Sequence, residues 1–179
     1  MNPTKLAAFD YAVYQLTRWY SEQVREWRQG NDLSRLKLTK LLFFTVAVTS
    51  SPNDAGLLTV FDDFAALPYG HVESDIQNHM NESQCYTITR DQLSFKEGFN
   101  NYHGSIQLDE NIIHMIDDGI NRLKNENPDL INYSAFQLVD LSHKWQSWKT
   151  VFSLAKKNGK FSMSIPATMI MNETKIFKL

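Results

Sequence analysis

The pattern of apolar and polar positions predicts two long helices in the first third of the chain. In the first helix, apolar residues recur every three or four positions, the period of one helix face: Leu6, Phe9, Val13, Leu16, Tyr20, Val24 and Trp27. Gly30 suits the end of this helix. Ser34 can cap the second helix, which residues 50–54, SSPND, then end. The second helix carries Leu38, Leu41, Leu42, Thr45 and Val48.

The middle of the chain predicts shorter elements. Residues 57–69, LLTVFDDFAALPY, are interpreted as a loop or a short helical turn. After Pro68 and Gly70, the four-residue spacing of three apolar side chains predicts a short third helix: Val72, Ile76 and Met80. Residues 84–95 alternate briefly between apolar and polar positions, which predicts a small β hairpin.

The last third returns to helical spacing. A stripe that ends near Pro128 predicts a fourth helix, and Ser134 with Gln137 forms the capping-box pattern of a fifth. The same spacing continues through the two tryptophans, Trp145 and Trp148, as far as residues 158–159, NG. Residues 161–166 alternate weakly before a last short helix. The predicted class is mainly α: a compact bundle of about five to seven helices with at most a small β hairpin, in a single domain over residues 1–179.

Composition narrows the classes of function. The chain has 179 residues, of which 42% are hydrophobic, so it can bury a core without the help of a metal or a disulfide. Its formal net charge of −2 argues against nucleic acid binding through phosphate neutralisation. Cys85 is the one cysteine, which excludes an intramolecular disulfide and a zinc site built on several thiolates.

The same sequence predicts a cytoplasmic protein that does not associate with membranes. The first residues lack the apolar core of a signal peptide. The most apolar run, residues 41–48, is too short to span a bilayer.

The stretch LSHKWQSWK, residues 141–149, concentrates chemically versatile side chains. Ser142 and His143 are adjacent, and adjacent helical side chains point about 100° apart, so they are badly placed as nucleophile and base. The stretch is therefore interpreted as structural. Trp145 and Trp148 are expected to bury their rings between helices, and each indole N–H needs a partner.

A second candidate lies around His71, where four carboxylates gather: Asp62, Asp63, Glu73 and Asp75. Carboxylates can perform acid–base chemistry when their surroundings separate their pKa values. The alternative is that they are helix-start charges and solvated turn residues. The five histidines form no close ligand pair, so neither a metal nor another cofactor is predicted.

Three motifs together resemble the Panacea, or SocA-like, antitoxin domain over roughly residues 5–157. They are KLTKLLFF at 37–44, FDDFAALPYGHVESDI at 61–76 and LVDLSHKWQSWK at 138–149. The chain departs from the usual pattern at four positions. His71 and Ser147 replace prolines, Ser142 replaces a threonine, and Trp145 replaces an acidic residue.

The resemblance implies a helical domain that neutralises a protein toxin encoded beside it by direct contact. Toxins of such systems are varied, many block translation, and some members of the family are linked to proteolysis of the toxin. The family has no shared enzymatic activity, so no catalytic residue is carried over. Two other hypotheses remain: a small hydrolase that uses His71, Glu73 and Asp75, and a repressor that binds its own operon. The acidic balance and the lack of a clear helix-turn-helix argue against the repressor.

The expected toxin-facing surface lies in residues 61–76, where aromatic and acidic residues flank a turn. Phe61 and Phe64 suit the core equally well. A pre-ordered acidic surface would suit a basic partner. The expected contact residues are Asp62, Asp63, Tyr69, His71, Glu73 and Asp75.

Overall fold

The computed structural model describes residues 2–99 and 107–179, and in them the predicted mainly α class is confirmed. The helices are α1 Pro3–Gln23, α2 Arg35–Thr49, α3 Ser74–His79, α4 Glu110–Glu126, α5 Ala135–His143, α6 Gln146–Lys157 and α7 Ala167–Asn172. The strands are β1 Phe64–Leu67, β2 Gly70–Glu73, β3 Tyr86–Ile88, β4 Leu93–Phe95 and β5 Met163–Ser164. They form two antiparallel sheets, in the orders β2-β1-β5 and β3-β4.

Several predicted boundaries are confirmed because local side chains fix them. The Ser34 hydroxyl accepts a hydrogen bond from the Lys37 N–H at the start of α2. Ser134 and Gln137 form the predicted capping box at the start of α5. Strands β3 and β4 are the hairpin that was expected within residues 84–95.

The β1–β2 hairpin is the main departure from the predicted elements. Residues 64–67 were assigned to a loop and Val72 to a helix, but both lie in strands. Both strands are buried almost throughout, so their sequences lack the apolar–polar alternation that marks a half-exposed strand. Gly70, with a φ of 93°, allows the tight turn between them. The third helix therefore begins only at Ser74.

The two long predicted helical stripes are also interrupted. Helix α1 ends at Gln23, and Trp27 is buried in the following turn against Phe95. The stripe through the late tryptophans is split at Lys144 and Trp145, between α5 and α6.

Helix α2 lies at the centre of the molecule. It packs against α1, α4, α5 and β2, and nearly all its residues are buried. Lys37 and Lys40 are buried with them. In the described part of the chain, no helix has the length and apolarity needed to cross a membrane.

Candidate functional site

Three polar side chains, joined by hydrogen bonds, lie buried where β2 meets α5 and α6. The imidazole of His71 contacts the hydroxyl of Ser142 through Nδ1 and that of Ser147 through Nε2, each at 2.8 Å. The His71 ring stacks on Phe43, with ring centres 3.7 Å apart. We call Ser142, His71 and Ser147 the Ser–His–Ser chain. It anchors strand β2 to two helices that follow about 70 residues later in the sequence.

The side chains of Lys40 and Glu173 also form hydrogen bonds with backbone groups around the Ser–His–Ser chain. The His71 N–H donates to Ser142 Oγ at 3.1 Å, and the His71 carbonyl accepts from Lys40 Nζ at 2.5 Å. At the start of α6, the Ser147 N–H donates to a Glu173 carboxylate oxygen at 3.0 Å. Glu173 thus supplies a helix cap that Trp145, the residue before α6, lacks.

Burial controls the charges of this region. It lowers the pKa of His71 well below its usual value and that of Lys40 to about 7. The pKa of Glu173 is raised, again mainly by burial. A neutral imidazole has one donor and one acceptor nitrogen, so one serine donates to His71 and the other accepts from it. The distance between Ser147 and His71 suits a nucleophile and a base, but both residues are sealed from solvent, at 1% and 0% exposure.

A second polar cluster lies at the open end of the β1–β2 hairpin. The Lys5 ammonium contacts carboxylate oxygens of Asp62, Glu73 and Asp75 at 2.6, 2.8 and 2.7 Å. Burial disfavours the charged Lys5, but the hydrogen bonds to these carboxylates outweigh it and raise its pKa. We call these four residues the Lys5 cluster. The three carboxylates approach one another closely enough to share a metal ion, and the ammonium supplies positive charge among them.

An exposed groove lies at the other end of the hairpin. Three rings that border it are 57–72% exposed: Tyr69, Phe136 and Phe161. Tyr69 and Phe136 meet edge to face, with centres 6.3 Å apart. We call this space, of about 540 Å³, the aromatic groove. It is lined from α2 by residues 34–36 and 39, from the hairpin by 67–69 and 72, and elsewhere by Gln77, Arg90, Asp91, Ala135, Phe136 and Phe161.

The expected toxin-facing residues therefore do not share one surface. His71 and Glu73 are buried, at 0% and 1% exposure, because one belongs to the Ser–His–Ser chain and the other to the Lys5 cluster. Asp62 and Asp75 surround Lys5, and Asp63 lies beside them where β1 begins. Tyr69 lies at the turn, about 13 Å away along strands of four residues. Of the six residues, only Tyr69 borders the aromatic groove. Phe61 and Phe64 are buried in the core.

The two tryptophans of the late motif lie in different environments, and only Trp145 is buried as expected. Trp145 is completely buried and donates to the Ile176 carbonyl at 2.9 Å. Trp148 is only partly buried and donates to the Leu67 carbonyl at 2.8 Å. His143 stacks on Trp148 and reaches the Pro68 carbonyl at 3.1 Å. These contacts hold the hairpin turn, and with it Tyr69, against α5 and α6.

Comparison of the chain with protein-family models, curated proteins and solved structures gives no match. The resemblance to the Panacea domain therefore rests on the three sequence motifs. Sequence reasoning missed the roles of Lys40, Ser147 and Glu173. Their partners are far away in the chain, and the one local signal was that Ser147 replaces a proline of the usual pattern.

Proposed function

We propose that this protein is an antitoxin that binds a cognate protein toxin directly, with the aromatic groove as the contact surface. The three-motif resemblance suggests the partner: a toxin encoded beside the chain, of the kind that blocks translation. The observation that carries the proposal is the group of three exposed aromatic rings around one concave surface. Clustered exposed apolar side chains mark interaction sites, and aromatic residues are enriched at interface centres.

The groove is held in place before any partner binds. The turn that carries Tyr69 is fixed by the hydrogen bond from His143 to Pro68 and by the one from Trp148 to Leu67. Phe136 lies in the first turn of α5, which the capping box stabilises. A surface that is already ordered loses less conformational entropy on binding, which favours affinity.

A hydrolase centred on His71, Glu73 and Asp75 agrees less well with this geometry. His71 and Glu73 point into separate clusters. His71 contacts two serine hydroxyls, and Glu73 accepts from the Lys5 ammonium and from backbone N–H groups. Catalysis would require both clusters to open, and the same opening would remove the contacts that hold β2.

Co-expression tests the proposal. The protein encoded beside this chain is induced in a bacterial host, with and without the chain, and growth is measured. The wild-type chain should restore growth. Tyr69→Ala combined with Phe136→Ala should fail to do so while keeping its melting temperature, because both side chains are mostly exposed.

The matched control is Leu154→Ala, which removes another exposed apolar side chain on α6, outside the groove. It should rescue as well as the wild type. Full rescue by the folded double variant would place the interface elsewhere, and failure of the wild-type chain to rescue would refute the antitoxin function.

A further inference from the structure

The aromatic groove is electropositive, in contrast to the acidic end of the hairpin. Two arginines line it, Arg35 and Arg90, against one lining carboxylate, that of Asp91. Neither arginine forms an ion pair within the described parts of the chain. Arg35 bonds the Gln77 carbonyl and the Asn81 amide oxygen, which are both neutral, and Arg90 is exposed.

Two helix N-termini add to this positive potential. Residues 34–36 at the start of α2 and residues 135–136 at the start of α5 both line the groove. A helix N-terminus carries a partial positive charge, which acidic side chains in the first turn often offset. Neither α2 nor α5 has an acidic residue in its first turn. The helix charges and the arginine charges therefore act in the same direction.

We propose that the groove takes an acidic segment of a partner protein, in which carboxylates alternate with aromatic or aliphatic side chains. The apolar side chains would pack on Tyr69, Phe136 and Phe161, and the carboxylates would face Arg35, Arg90 and the two helix N-termini. This inference rests on the proposed function and gives the contact segment of the toxin a charge opposite to that expected from the sequence. Such complementarity selects partners and speeds their encounter.

Single-stranded nucleic acid offers a related chemistry, because bases stack on aromatic rings and phosphates bind helix N-termini. The groove favours a protein segment for a specific reason. Its wall also contains Leu36, Leu67 and Val72, which suit aliphatic side chains better than the flat faces of bases.

Selection from a random library of displayed 12-residue peptides tests the chemistry directly. The wild-type chain is the bait, and peptides that also bind a Phe136→Asp variant are discarded. The remaining peptides should be enriched in aspartate or glutamate and in aromatic or aliphatic residues. The inference would be overturned if the enriched peptides are basic, or if no selected peptide needs the groove for binding. Tighter groove-dependent binding of a 12-nucleotide oligouridine RNA than of any selected peptide would also overturn it.

Charge reversal then separates this inference from the proposed function. Arg90→Glu should weaken binding of the selected peptides about three- to tenfold at low salt, while Arg25→Glu, outside the groove, should leave it unchanged. In co-expression, Arg90→Glu should lower rescue. Full rescue by Arg90→Glu, with none by the Tyr69 and Phe136 double variant, would reject the acidic segment and keep the antitoxin function. If acidic peptides bind the groove but the wild-type chain does not rescue growth from the toxin, the acidic segment is kept and the antitoxin function is rejected.

Discussion

At the scale of single residues, two departures from the Panacea-like pattern turn out to be neighbours. His71 and Ser147 each stand where the pattern usually has proline, and their side chains meet at 2.8 Å. A proline offers neither an imidazole nor a hydroxyl, so either change made alone would bury a polar group without this partner. The structure thus joins the two residues in one polar contact.

A double-mutant cycle measures how far His71 and Ser147 depend on each other. We expect His71→Ala and Ser147→Ala to show a coupling free energy of about 0.5–3 kcal/mol, because each removes one hydrogen-bond partner of the other inside the buried core. Urea unfolding of the wild type, the two single variants and the double variant gives this value. Additive effects, with no coupling energy, would contradict the assignment of the contact.

The two tryptophans of the late motif should differ in their contribution to stability. Trp145→Ala should lower the free energy of unfolding by about 3–5 kcal/mol, because the ring is completely buried among Phe43, Phe44 and Phe177. Trp148→Ala should cost less, because that ring remains partly exposed. Denaturant unfolding compares the two variants, and a larger loss for Trp148→Ala would contradict the described packing.

At the scale of elements, the Lys5 cluster joins the first turn of α1 to the hairpin and to α3. Glu73 takes part twice, because its carboxylate also accepts from the Ile76 N–H and thereby caps α3 at 2.7 Å. Lys5→Met should cost about 2–3 kcal/mol at pH 7, less than a fully buried pair, because Asp62 and Asp75 remain partly exposed.

The stability difference between wild type and Lys5→Met should become smaller in acid. Lys5 hydrogen bonding lowers the pKa of Asp75, so the stability it provides is lost as the pH falls. Because Asp75 has a pKa of about 3.8 in the unfolded chain, melting curves at pH 7 and pH 3 should show a smaller gap between wild type and Lys5→Met at pH 3. Arg122→Ala, which breaks an exposed pair with Asp118, is the control and should cost under about 1 kcal/mol. An equal gap at both pH values would argue against the ion cluster.

The sequence predicts well those helices and strands whose boundaries depend on residues only a few positions away in the chain. Helices α2, α4 and α5 and the β3–β4 hairpin have caps or periods contained within a few residues. The β1–β2 hairpin has no such signal, because its strands are short and buried on both faces. The sequence also gives no signal for the break between α5 and α6. The apolar spacing continues across it, and the residue that caps α6 is the distant Glu173.

At the scale of the whole molecule, the segment that the sequence predicts as a contact surface is divided between the two ends of a hairpin. Residues 61–76 do contain Tyr69, yet the acidic residues beside it in sequence lie at the opposite end of a hairpin. The aromatic groove is assembled from segments between residues 34 and 161. No local pattern can bring Arg35, Arg90 and Phe136 together, because only the tertiary packing of α2, α5 and the two hairpins does so.

The buried Lys40 gives the whole molecule a characteristic response to alkaline pH. Burial lowers its pKa from 10.5 in the unfolded chain to about 7 in the folded protein, so the unfolded chain binds more protons between these values. The free energy of unfolding should therefore rise as the pH increases from about 7 to about 9, above which the raised pKa of the buried Cys85 thiol opposes the rise. Lys175, with a folded pKa of about 8, acts in the same direction as Lys40.

The Lys40→Met variant isolates the contribution of Lys40. Its free energy of unfolding should rise less steeply over this range than that of the wild type, as measured by urea unfolding at pH 7, 8 and 9. Parallel curves for the two proteins would show that Lys40 keeps its charge in the folded state.

The Ser–His–Ser chain also has a kinetic consequence. Its hydrogen bonds close loops of 71 and 76 residues, whereas the helices around it form from contacts within a few positions. Loop closure on this scale carries a large entropy cost, so these bonds should form after the rate-limiting step of folding. Ser147→Ala would then accelerate unfolding and leave the folding rate nearly unchanged. The Ser–His–Ser chain would therefore set the lifetime of the folded protein, through its unfolding rate, and would hardly affect the folding rate.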